Sequence, residues 1–239
     1  FEQHGPGGCG ERLPQLRPGN ARHDGEFGIP TFDEILALLS QVNAARRAQG
    51  LPLVGVYPET KHPTHFASLG LALEPALLAS LAARGDGAPV FIQSFEMGNL
   101  QALRERSGHP LVQLMQVEGG PWDRNGSSEF ASYAQLCTPQ GLRQVATYAK
   151  AIGVQKEMLM SVDAEGRMKA TDLVHRAHEA GLAVHAWTFR AENHFLPTAL
   201  QRGGTPADHG DLAAQVRAFV ATGIDGLFSD HPDLARQGL

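Results

Sequence analysis

Glu59-Thr-Lys61 sets a carboxylate and an ammonium two residues apart. Positions i and i+2 of a strand share a face, so both groups aim the same way. Two chemistries suit the pair: an ion pair at a strand end, or a hard-cation ligand, Glu59, beside a phosphate-binding lysine, Lys61. His62 and His65 follow closely and raise the question of a zinc site, but Pro63 between them argues against helical spacing. Farther along, Trp187 ends an apolar run that also holds His185, with Thr188 and Arg190 just after it. Trp187 reads as core or as a pocket wall, and a lone strand histidine such as His185 reads first as a satisfied core residue. Asp225 and Asp230 flank Gly226-Leu-Phe-Ser229. Asp230, directly before His231-Pro232, serves equally well as the cap of a final helix.

The elements that would position these groups alternate in type. Thr31 and Glu34 form a capping-box pattern, and Phe32, Ile35, Leu36, Leu39 and Val42 fall at helical spacing behind it. Leu53 to Glu59 then reads as a buried strand, and Leu73 to Leu81 as a helix. Strands are predicted at Val90 to Phe95, Leu111 to Gln116, Ala151 to Val154, Leu182 to Phe189 and Ile224 to Ser229. Helices are predicted at Asn99 to Glu105, Gly141 to Lys150, Met168 to Ala180 and Asp211 to Thr222. Strands alternating with helices imply βαβ units and a parallel sheet. No G-x-G-x-x-G loop follows any strand, which argues against a nucleotide-binding open sheet. Glu59, Lys61, Gln93, Gln113 or Gln116, Trp187, Arg190 and Asp230 all lie at C-terminal strand ends, the rim where barrel enzymes gather their chemistry.

Four motifs together resemble glycerophosphodiester phosphodiesterases: Pro58-Glu-Thr-Lys61; Gln93-Ser-Phe95; Ala186-Trp-Thr-Phe-Arg-Ala-Glu-Asn193; and Gly223-Ile-Asp-Gly-Leu-Phe-Ser-Asp-His-Pro232. With the helix start at Ile29-Pro-Thr-Phe-Asp-Glu-Ile35, the resemblance covers about residues 29 to 237. It implies a (β/α)8 TIM barrel holding one divalent cation, calcium or magnesium, and a glycerophosphodiester as small-molecule substrate. Carried over by position, Glu59 is a metal ligand, Lys61 a phosphate contact, and Gln93, Trp187 and Arg190 substrate-binding residues. The family's His-Arg-Gly and Glu-x-Asp motifs and its second-strand histidine have no match, and neither His23-Asp24 nor His4 has strand context. No catalytic residue is therefore assigned. The expectation is an α/β barrel whose strands 1 and 2 are missing from this chain, residues 1–30 being an irregular loop remnant and 31–239 the C-terminal part of the barrel. Such a fragment is expected to be inactive alone and open to association through its barrel edges. The alternatives are a phospholipase D-like toxin relative and a non-catalytic module that binds phosphoesters or protein.

Composition narrows the partners. The chain of 239 residues has 20 Lys+Arg against 25 Asp+Glu, a net charge of −5, so no basic face for nucleic acid is expected. No stretch reaches the roughly 18 apolar residues of a membrane span. Cys9 and Cys137 could pair, but two thiols do not fix a compartment. Position 1 is Phe with no secretory leader pattern, so the start reads as a truncation; a periplasmic or secreted location is expected from the family type alone.

Overall fold

The computed structural model describes residues 13–23, 25–83, 87–163 and 168–239. Residues 18–23 form a short 3-10 helix and residues 25–26 a turn, and residues 27–30 carry no regular structure. Helix α1, Phe32–Ala48, starts with the expected capping box: the Thr31 hydroxyl accepts from Glu34 N–H at 3.3 Å and the Glu34 carboxylate from Thr31 N–H at 2.7 Å. Helices α2 (Pro63–Ser68) and α3 (Leu73–Ala83) follow. Then strands and helices alternate as β1 (Ile92–Ser94), α4 (Met97–Arg106), β2 (Leu111–Met115), α5 (Tyr133–Leu136), α6 (Pro139–Ala146) and β3 (Ala151–Gln155). The chain continues through β4 (Met160–Val162), β5 (Met168–Ala170), α7 (Leu173–Glu179), β6 (Ala183–Phe189), α8 (Leu212–Val220), β7 (Gly226–Ser229) and α9 (Pro232–Ala235).

Five strands form one parallel sheet in the order β1-β2-β3-β6-β7, and β4 and β5 pair as an antiparallel hairpin beside it. The βαβ expectation thus holds for an α/β fold. The predicted helix from Met168 is corrected: Met168–Ala170 pairs with Met160–Val162, and the helix begins at Leu173. The segment Leu53 to Glu59 is less regular than predicted. It joins the sheet edge through two isolated parallel bridges, Val56 to Val90 and Glu59 to Gln93. Pro52 and Pro58 offer no N–H to a ladder, and a Cβ at Gly55 would lie 2.5 Å from the Pro89 carbonyl oxygen. Among the described residues no parallel strand precedes this segment in the sheet.

Side chains show that the sheet curls. Tyr57, on the first segment, stacks on Phe91 at 5.2 Å and meets the ring of Phe228, on the last strand, at 4.8 Å. Both ends of the sheet therefore face one interior, as in a barrel rather than a flat open sheet. The outer layer packs on Ile92, Leu111, Ile152 and Val184 of the strands and Leu100, Leu142, Ala177 and Val216 of the helices, all buried. The apolar face of α1 is only partly covered. Leu36 is buried and Phe32 and Leu39 touch the core, whereas Ile35 and Val42 remain 41% and 40% exposed.

Candidate functional site

The C-terminal strand ends open into a cleft of about 680 Å³. The loop after the first segment contributes Glu59, Lys61 and His62; β1 contributes Gln93 and then Phe95 and Glu96; β6 contributes Trp187 and β7 leads to Asp230. Gln116, Trp122 and Tyr133 line it from the connection between β2 and α6. Glu59, Lys61, Gln93 and Trp187 are thereby brought together from positions up to 128 residues apart, the separation of Glu59 and Trp187.

Two oxygens in this cleft lack partners. Glu59 Oε1 and Gln93 Oε1 are both buried without a hydrogen bond, and their residues are register partners across the sheet edge. A buried acceptor left unmade costs about 1–3 kcal/mol, and more when charged. Unpartnered hard oxygens on paired backbone positions that line one cleft are donors suited to a divalent cation such as calcium or magnesium. Among the described residues Lys61 has no ion-pair partner either, so its ammonium is free to meet an anion.

Arg190 stands one layer back. Its Nε donates to Asp230 at 2.8 Å, and its guanidinium lies 4.8 Å over the Phe195 ring. Arg17, from the turn before α1, reaches the same place: Nη2 donates to Asp230 at 3.0 Å and Nε to the fully buried Glu192 at 2.5 Å. These two guanidiniums hold the Asp230 carboxyl below its ordinary range against the opposing effect of burial. Gln113 is buried structure, accepting from the Tyr148 hydroxyl at 2.8 Å, and Gln116 is the glutamine at the cleft.

The histidines sort clearly. Pro63 starts α2 instead of breaking it, and His62 precedes it with a left-handed φ of 51°. Among the described residues, the group of three candidate ligands is Glu192, His209 and His231, not His62 and His65. His231 Nδ1 accepts from Ala191 N–H at 3.2 Å, so its neutral ring carries the proton on Nε2 and offers no lone pair to a metal there. His23 is exposed on Glu26, 2.7 Å away, while His4, Asp24 and Cys9 lie outside the described residues. Cys137 is buried against Met115, and burial pushes its thiol up to about 11.

His185 sits inside the barrel, 2.7 Å from the Tyr57 hydroxyl, and burial lowers its pKa. A histidine with a lowered folded pKa stabilises the fold fully above about pH 6.5, its unfolded value, and loses that contribution as pH falls through the folded one. The urea midpoint should therefore fall as pH drops from 7 toward 5, and His185→Gln should flatten that slope. An unchanged slope in the variant would place the proton uptake elsewhere.

Residues 9–234 match the model of the glycerophosphoryl diester phosphodiesterase family. The chain belongs to this family. It is 30% identical to the glycerophosphodiester phosphodiesterase GDPD6 of Arabidopsis thaliana over 225 residues, 87% of this chain and 55% of that protein. It is 24% identical to a glycerophosphodiester phosphodiesterase of Treponema pallidum (strain Nichols), over 94% of this chain and 62% of the relative. The chain thus spans between about half and three fifths of the length of the relatives it matches. A crystal structure from Silicibacter pomeroyi DSS-3, named for the same activity, superposes with a TM-score of 0.52 at 20% identity, over 88% of this chain and 57% of that one. That likeness supports the barrel fold. In this member of the glycerophosphoryl diester phosphodiesterase family, the four motifs converge on one cleft. Sequence reading missed Arg17, Glu96, Trp122 and Tyr133; of these, only a tryptophan in a Gly-Pro loop carried a local signal.

Proposed function

We propose that this chain carries the phosphate- and cation-binding part of an enzyme hydrolysing glycerophosphodiesters to glycerol 3-phosphate and an alcohol. Its main support is the pair of buried, unpartnered oxygens, Glu59 Oε1 and Gln93 Oε1, beside the uncommitted Lys61. Glu59, assisted by the Gln93 carbonyl, would hold one divalent cation. Bound there, the cation would draw charge from the phosphoryl oxygens during displacement. Lys61 binds a phosphate oxygen as a point charge. Arg17 and Arg190 neutralise Asp230, so the rim does not repel the diester. The Trp187 indole N–H is spent on the Gly153 carbonyl at 3.0 Å, leaving its ring to face substrate.

Hydrolysis also needs a base for water and an acid for the leaving alkoxide. Among the described residues His62 is the one imidazole lining the cleft, so no histidine pair is in place among them. On this reading the described residues supply the binding groups without the acid and base, and the chain is expected to be inactive alone. The test is release of glycerol 3-phosphate from a glycerophosphodiester with calcium or magnesium present. Turnover at solution background is expected; steady, cation-dependent turnover would show the acid and base to lie within this chain.

A further inference from the structure

Glu59 and Lys61 ride on a segment that joins the sheet through isolated bridges instead of a continuous ladder. Two backbone bonds flank Glu59: Gln93 N–H donates to the Pro58 carbonyl and Thr60 N–H to the Gln93 carbonyl, both at 3.0 Å. Among the described residues Glu59 Oε1 has no hydrogen bond and Lys61 no ion-pair partner, so neither side chain fixes its own place. The residue between them is fixed from three sides. Besides its N–H, the Thr60 carbonyl accepts from the Ser94 hydroxyl at 3.0 Å, and the Thr60 hydroxyl donates to Asn99 Oδ1 at 2.6 Å. Thr60, Ser94 and Asn99 are all buried.

Strand alternation turns the Thr60 side chain away from those of its two neighbours, toward α4. There Asn99 passes the contact on, its Nδ2 donating to the Glu74 carboxylate of α3. The direction of this chain of bonds is forced. An ionised carboxylate only accepts, so the Asn99 NH2 must face Glu74, its carbonyl must face Thr60, and the Thr60 hydroxyl must donate outward. That proton is therefore spent on α4, and none is left for a ligand in the cleft. The turn after β1 grips the loop as well: Ser94 Oγ accepts from Glu96 N–H at 3.3 Å, and the Glu96 carboxylate accepts from the backbone N–H of Thr64 at 3.1 Å and from its hydroxyl.

We propose that Thr60, Asn99 and Glu74 are positioning residues, a one-way hydrogen-bond chain that fixes the backbone from which Glu59 and Lys61 reach the cleft. The inference rests on the cation and phosphate reading of those two side chains, and it adds the device that places them. Satisfied buried polar chains rigidify what they connect, and a short side-chain clamp here does the work that a regular ladder does for the inner strands.

Thr60→Val keeps the side chain's shape and removes its hydroxyl. Titrated by calorimetry into the folded chain, calcium should bind this variant about tenfold more weakly, whereas Thr60→Ser, which keeps the donor, should stay within about twofold of the parent. Glu74→Gln lies at the half-buried far end of the chain of bonds, where the fold tolerates it, and decides the matter if Thr60→Val does not fold. It should weaken calcium about threefold, because an amide can turn either end to Asn99. Hydrogen exchange reads the backbone without any ligand: in Thr60→Val, or in Glu74→Gln, the amides of residues 60 and 93 should exchange faster while those of β3 do not change. A cluster that only stabilises the fold would lower the urea midpoint and leave calcium affinity at the parent value. That result, or unchanged exchange at residues 60 and 93, overturns the proposal. A parent chain that binds no calcium refutes the cation reading alone, and exchange at those two amides then decides for or against the positioning chain.

Discussion

If the proposed cation site exists, Glu59→Gln should abolish saturable binding of calcium or magnesium by this chain, measured by calorimetry without substrate. The expectation follows from charge. The carboxylate is the only anion at the Glu59 and Gln93 pair, and a neutral amide in its place leaves two carbonyl dipoles, too little to hold a hard dication against its hydration. The substitution keeps size and shape, and Glu59 Oε1 has no hydrogen bond to lose, so the folded state should lose little stability. Gln93→Glu tests the second oxygen in the opposite direction, adding charge at the register partner and tightening the cation. Identical titrations of the parent and Glu59→Gln would remove the cation from this site.

Arg17→Ala should destabilise the fold by about 2–3 kcal/mol, read from chemical denaturation. Removing one partner of a fully buried ion pair costs about 3–5 kcal/mol; Arg17 keeps 20% of its side-chain exposure, which places this pair below that range. The residual charge would sit on Glu192, which is 0% exposed and whose other ring neighbour, His231 at 3.7 Å, is neutral. Arg17 joins residues 175 and 213 positions distant, so its loss also frees the turn before α1 from the rim. Adding Glu192→Gln should restore part of the stability, because the neutral amide no longer leaves a charge in the interior. A parent-like Arg17→Ala would mean that the buried carboxylate is compensated without the guanidinium.

How far the sequence carried the structure depends on the range of the forces involved. Strands such as Leu111–Met115 and Ala151–Gln155 are buried on both faces over most of their length and read as short, mainly apolar runs, so they were legible. The capping box at Thr31 is local chemistry and was read in full. The Met168–Ala170 strand was not, since a short, half-exposed hairpin strand beside a true helix carries no period of its own. Of the site, Glu59, Lys61, Gln93 and Trp187 were legible because each sits at a strand end, where the sheet itself aims side chains at the mouth. Arg190 follows β6 beyond a register irregularity between Ala186 and Phe189, and it turns to Asp230 instead. Arg17 and Glu96 gain their meaning only from contacts made by the folded chain, and nothing in their own neighbourhoods marks them.

The most direct measurement is calorimetric titration of glycerol 3-phosphate into the chain with and without calcium. If Glu59 and Gln93 seat a cation beside Lys61, the phosphate should bind at least tenfold tighter with calcium, and Lys61→Ala should weaken binding in both conditions. Affinity that responds neither to calcium nor to Lys61 would contradict a phosphoester site in this cleft.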